Sequence, residues 1–220
     1  MKFENTEVFN FEGALRGMRN PKNSWNKSDS QYCLPDERML PTACCGEDVN
    51  WTPYQIGEND MKLAKTLTTA GPEHGKFLRM IFVSVDITAP MFWDAELDTY
   101  KIGTVRDSCS FMHKGVSKPF EISDFDTCGG DTDAVWDVVI NNLNELRDKY
   151  LETKDEKYFQ MIRAILPAGY NYKFTWTANY AVLRTIYFQR RNHRLPHWHD
   201  FCDWIKRLPY SELITCEREN

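Results

Sequence analysis

Arginine gathers in the last third of an otherwise acidic chain, at Arg163, Arg184, Arg190, Arg191 and Arg194, interleaved with Tyr170, Tyr172, Trp176, Tyr180, Tyr187 and Phe188. A guanidinium grips a phosphate or a planar amide through two parallel hydrogen bonds, and aromatic faces stack on planar rings. Together they suit a mononucleotide or a dinucleotide. The same residues also make a plain solvated helix face over an aromatic core, so composition alone leaves both readings open.

Other chemistry is weaker. His193, His197, His199 and Cys202 lie close in sequence, but residues two apart face away from each other on a helix, and Pro196 interrupts the turn that would join His193 to His197. Cys33, Cys44 and Cys45 have ligand types without tetrahedral spacing. No metal is expected. There is no phosphate-binding GxxxxGK[ST] loop, no GxGxxG after a strand, no GxSxG elbow and no HExxH.

The elements that would carry these residues can be read from periodicity. Asn10 is expected to cap a helix through Phe11, Leu15 and Met18 that Pro21 stops, and Asn59 a second through Leu63 and Leu67. Ile81, Val83, Val85 and Ile87 alternate with Phe82, Ser84 and Asp86 as a half-buried strand, followed by a helix from Pro90 fading near Gly103. Asp107–Gly130 reads as loop. A long helix is expected over Thr132–Leu151, with Trp136, Val139, Ile140, Leu143 and Tyr150 as its apolar stripe. A shorter one capped by Asp155 carries Phe159 and Ile162. Residues 170–176 read as extended, 178–192 as a helix with Leu183 and Ile186 inward, and a last helix follows Pro196.

Composition bounds the function. The chain has 220 residues, 42% apolar and 14% aromatic, with a net charge of −5; this is a globular composition that disfavours coating long nucleic acid. The longest apolar runs, such as Met80–Val83, fall far short of a membrane span. Met1–Asn10 carries two glutamates and does not read as a signal peptide. Seven cysteines, an odd number, without a disulfide framework suggest a reducing, cytoplasmic setting. Residues 1–220 are read as one α/β (α+β) domain, with 20–59 an irregular N-terminal insertion or lid.

One stretch carries a resemblance. Arg163-Ala164-Ile165-Leu166-Pro167, then Phe174, Trp176-Thr177-Ala178-Asn179, Leu183 and Arg190, resembles the flavin-dependent thymidylate synthase pattern of R-x-x-L-P, W-T-x-N-x-R-x-L and a closing arginine. The strand Val83–Thr88 entering Ala89-Pro90-Met91-Phe92 is similar to the strand before that family's RHR signature, and Glu73-His74 to a Glu-His pair ahead of it. Together these blocks cover about residues 58–208. Departures are Thr99-Tyr100-Lys101 in place of RHR, Thr104 for a serine, Cys109 and Phe111 for a serine and an arginine, and Ala181 for an arginine.

The resemblance implies a central, mostly antiparallel sheet flanked by helices and a homotetramer with shared sites. It implies reductive methylation of dUMP to dTMP, with FAD as cofactor and methylenetetrahydrofolate and NADPH as co-substrates. Position by position it implies Arg163 on the dUMP phosphate and Arg190 on the uracil ring as the catalytic group. Glu96, Asp107 and Cys109 fall at nucleotide positions, and Tyr100, Lys101, Thr104 and Asn179 at flavin positions. A non-catalytic nucleotide binder on the same fold is the alternative.

Overall fold

Alternation builds the middle of the sheet. Ile81, Val83, Val85, Ile87 and Ala89 are all 0% exposed, so every second residue of the strand Phe82–Pro90 is sealed in the core, as a strand covered on that face requires. The computed structural model describes residues 1–33, 52–130 and 133–217; Cys44, Cys45 and Thr132 lie outside them.

In chain order the elements are β1 (Lys2–Phe9), α1 (Phe11–Arg19), β2 (Gln31–Tyr32), β3 (Tyr54–Gln55), α2 (Glu58–Ala70), β4 (Phe82–Pro90), α3 (Met91–Leu97), β5 (Val105–Ser108) and α4 (Phe111–Lys114). They continue with α5 (Ala134–Thr153), α6 (Glu156–Ile165), β6 (Asn171–Asn179), α7 (Tyr180–Arg190), α8 (Pro196–Lys206) and α9 (Glu212–Thr215). The main sheet has the order β1-β4-β6-β5, and β2 pairs antiparallel with β3. β4 and β6 are antiparallel: Tyr180 N donates to Ile81 O at one end, and Met91 N to Tyr170 O at the other. The architecture is the expected antiparallel sheet flanked by helices.

Two compact units are distinguished. The first comprises Met1–Lys2, Ile87–Thr99 and Asp107–Thr175; the second comprises Phe3–Asp86, Tyr100–Arg106 and Trp176–Asn220.

In the first unit, Phe120, Phe125, Leu143 and Ile162 form a buried cluster, against which Trp136, Val139 and Ile140 of α5 pack partly buried. The stripe expected on this helix is therefore real but shallow. Two polar clips hold the preceding loop to α5: Asn144 exchanges both amide hydrogen bonds with the Phe120 backbone (2.8 and 3.0 Å), and Arg147 Nε donates to Val116 O. Asp155 caps α6, its Oδ1 accepting from Lys157 N at 3.0 Å.

In the second unit, Tyr180, Leu183 and Ile186 of α7 and Trp198, Phe201 and Ile205 of α8 are each 0% exposed. Arg184 Nη1 donates to Ile214 O (2.6 Å) and Cys216 O (2.7 Å), satisfying carbonyls at the end of α9.

Several expectations change. Asn10 stands at the start of α1, but its φ is +72° and its side chain makes no cap; its Nδ2 donates instead to Met80 O at 3.0 Å. α2 begins two residues earlier than expected, with Gly57 rather than Asn59 at the N-cap, and its first amides are capped from a distance: Asp29 Oδ2 accepts from Asn59 N (2.8 Å) and Oδ1 from Asp60 N (3.0 Å). A Cβ on Gly57 would lie 2.2 Å from Asp29 Cγ, so this capping requires glycine. The helix after Pro90 ends at Leu97, and the stretch expected as loop after Asp107 begins within β5 and also holds α4.

Asn179 ends β6 and caps α7, its Oδ1 accepting from Val182 N at 3.1 Å. Asn179→Ala is expected to lower stability by about 1 kcal/mol, read as the shift of a urea unfolding midpoint at unchanged slope. An unchanged midpoint would show that the cap contributes nothing.

Candidate functional site

Within the first unit, α6 ends at Ile165 and the chain turns through Pro167 and Gly169 into β6. This sets Arg163, in the last turn of α6, beside the first residues of β6. A cavity of about 500 Å³ opens there. Arg163 and Lys173 supply its cations, Ser110 and Cys109 small polar groups, and Tyr170 and Tyr172 aromatic walls.

The frame is well held. Cys109 N donates to Lys173 O at 2.9 Å, joining the end of β5 to the start of β6. The Tyr170 ring meets Phe111 edge-on (5.6 Å between centroids), Phe125 (5.7 Å) and Phe120 (6.3 Å). Burial, and secondarily the charge of Asp124, hold the Tyr170 phenol above its ordinary pKa. Tyr172 Oη donates a short hydrogen bond to Asp94, a carboxylate only 4% exposed. Arg163 Nη1 lies 3.6 Å from Met112 Sδ, a soft contact, and its side chain is exposed. Two cations, small donors and flat walls are what a phosphate attached to a planar ring requires.

Within the second unit, Arg190 at the end of α7 is stacked rather than solvated. Its guanidinium carbon lies 4.6 Å from the Trp198 ring centroid and 5.6 Å from that of Tyr100. Its Nε donates to Tyr100 Oη at 2.9 Å, and Tyr100 Oη donates onward to Gln189 Oε1, also at 2.9 Å. Thr104 Oγ1 donates to Tyr100 O at 2.6 Å, closing the turn that presents this tyrosine. Lys101 is exposed on that turn. Gly103 has φ +78°, and a Cβ there would lie 3.1 Å from Asn179 Nδ2 and 3.2 Å from Val182 Cγ2. The glycine thus leaves a small cradle beside the Asn179 amide.

Arg163 and Cys109 line one cavity, and Tyr100, Thr104 and Arg190 form one bonded group. Glu96 is half-buried on α3, where its carbonyl accepts from Thr99 Oγ1 at 2.7 Å, and it does not line the cavity. Neither does Asp107, exposed on β5. Sequence reasoning named Tyr170 and Tyr172 among the aromatics suited to a planar ring, and missed Lys173 as a lining group and Trp198 as the stacking partner of Arg190. Lys173 had a usable signal, since it lies at the start of a strand directly after the arginine-bearing helix.

An antiparallel sheet flanked by helices, with a cation-bearing, aromatic-walled cavity in the first unit, places the chain among mixed α/β folds. Comparison with solved structures narrows it: the fold is like that of thymidylate synthase X. One structure from Helicobacter pylori, described with FAD and dUMP, matches with a TM-score of 0.66 at 13% identity over 97% of this chain and 96% of its own. A second, the flavin-dependent thymidylate synthase of the same organism complexed with FAD and dUMP, gives 0.69 at 14% over 99% and 100%. No protein-family model and no curated protein sequence matches the chain. No helix among the described residues is long and apolar enough to cross a membrane.

Proposed function

We propose that the protein binds a uracil nucleotide, dUMP first among candidates, with its phosphate on Arg163, and that it methylates that nucleotide reductively as a divergent flavin-dependent thymidylate synthase. The observation that carries this reading is Arg163 lining a 500 Å³ cavity with Lys173 and two tyrosines, in a fold whose solved relatives are described with FAD and dUMP. Lys173 supplies a second positive charge where the resemblance places Phe111 in the position of an arginine. FAD, when bound, supplies the reducing equivalents that convert the transferred carbon to a methyl group.

The cradle at Gly103 is compatible with that cofactor: Lys101 would meet the pyrophosphate and Asn179 Nδ2 would donate to it, the asparagine's oxygen being committed to the α7 cap. Arg190 would hold the uracil carbonyl and stabilise charge developing in the ring. Methylenetetrahydrofolate brings the carbon and NADPH the reductant. A homotetramer is part of this proposal, tested by light scattering; a monomer would overturn it.

A second reading, nucleotide binding without flavin chemistry, is favoured by one observation: the Tyr100 phenol is engaged by both Arg190 and Gln189, and Lys101 remains the cation of the Thr99-Tyr100-Lys101 turn. The two separate readily. dUMP should raise the melting temperature under either reading. Flavin absorbance in the purified protein, and tritium release from [5-³H]dUMP with reduced FAD and methylenetetrahydrofolate, are expected only under the first. Arg163→Ala is expected to weaken dUMP about tenfold to a hundredfold, the worth of a charge-assisted phosphate contact. Undiminished binding would remove Arg163 from the site.

A further inference from the structure

The second unit contains another cleft, of about 750 Å³, between the end of α1, the turns after it and the start of α2. It shares no lining residue with the Arg163 cavity. Its innermost charged group is Arg19, 5% exposed. Arg19 Nε donates to Asp60 Oδ1 at 2.6 Å and Nη1 to Ser24 O at 3.3 Å. Nη2 has no acceptor among the described residues. This nitrogen is not among the sealed polar atoms without a partner, so it keeps access to the cleft and is free to donate to a ligand oxygen.

Around that nitrogen the lining is one-sided in charge. Lys22 and Lys27 stand exposed on the short turns that follow α1, and Asn23, Asn26 and Asn59 add amides. The carboxylates nearby are already engaged. Asp60 takes Arg19 and the hydroxyls of Ser28 and Ser30, each at 2.6 Å. Asp29 takes the first amides of α2. Among the described residues, no acid lines the cleft. With Asp60 cancelling Arg19, two lysine charges remain, in a chain whose overall charge is −5. The complementary ligand is an anion with several acceptor oxygens, and the volume leaves room for more than the anion alone.

We propose that this cleft binds a small phosphate ester, its phosphate between Arg19 Nη2, Lys22 and Lys27. Isothermal titration calorimetry with ribose 5-phosphate, and separately with inorganic phosphate, tests it at constant ionic strength set by chloride. An Arg163→Ala background keeps the first cavity from contributing. Saturable 1:1 binding of ribose 5-phosphate is expected, tighter than inorganic phosphate, and at least tenfold weaker in Lys22→Ala/Lys27→Ala. Both lysines are exposed, so the double variant should melt with its parent, which confirms its fold. Heats that never saturate, or a double variant that binds as tightly as its parent, would overturn the proposal. Inorganic phosphate binding as tightly as the ester would also sink it, by showing that the organic part makes no contact.

Discussion

Asp60→Ala is expected to lower the unfolding free energy by about 3–5 kcal/mol. Asp60 is 0% exposed and Arg19 5%, with 2.6 Å between Nε and Oδ1. Removing the carboxylate strands a buried guanidinium and orphans the hydroxyls of Ser28 and Ser30. The four groups tie the turns after α1 to α2, so the loss should loosen that whole segment. Urea unfolding measures it, and a midpoint within error of the parent's would refute it. Arg19→Met/Asp60→Leu should recover most of the loss, because an apolar pair of similar volume carries no unmatched charge.

The same pair gives a pH signature. Burial pushes the Asp60 carboxyl toward protonation, but hydrogen bonds from Ser28, Ser30 and Arg19, together with the Arg19 charge, outweigh it and hold the group below the ordinary value of 3.8. A lowered folded-state pKa means that the unfolded chain binds the proton more readily. The contribution is therefore fully present above about pH 4 and is lost as pH falls through the folded value. The gap in stability between the parent and Asp60→Ala should accordingly narrow below about pH 4.

How much could be read beforehand depends on the distance over which each element is determined. β4 was legible because five alternate residues, Ile81 to Ala89, are completely buried and the pattern needs no partner to be seen. The Asp155 cap was legible because donor and acceptor are two residues apart. β1 was not: none of Lys2–Phe9 is buried, so its alternation is faint, although Phe3 stacks on Trp204 at 5.3 Å. β5 is short and mostly exposed, and offers no period. The cap on α2 comes from Asp29, thirty residues upstream, and no local rule can supply that. Asn10 shows the converse. Its residue type suits a cap, but a left-handed backbone turns its amide toward Met80 instead.

The same division runs through the site. The arginine-to-arginine spacing marked Arg163 and Arg190 as a pair worth following. The neighbours that make each useful, Lys173 for one and Trp198 for the other, arise from strand pairing and helix packing. Glu96 and Asp107 were placed by alignment to a pattern, with no local signal of their own, and neither lines the cavity.

Arg190→Ala is expected to lower the rate of C5 hydrogen release from dUMP about 10²–10³-fold, the loss found when one preorganised donor to developing charge is removed. Preorganisation is the feature that the geometry supports. The guanidinium is stacked 4.6 Å from the ring of Trp198, itself 0% exposed, and aimed by the hydrogen bond of Nε to Tyr100 Oη. Lysine has neither the planar face nor the fork, so Arg190→Lys should recover little of the rate. Tyr100→Phe keeps the ring contact but removes the oxygen that accepts from Nε. It should cost about 1 kcal/mol, near fivefold, and so separates aiming from charge. The substrate affinity of Arg190→Ala distinguishes the two functional readings. In an enzyme, the rate should fall further than dUMP affinity, because charge on the ring develops mainly in the transition state. In a binding protein without turnover, the whole effect should appear in the dUMP dissociation constant. A variant that turns over and binds like its parent would take Arg190 out of the site altogether.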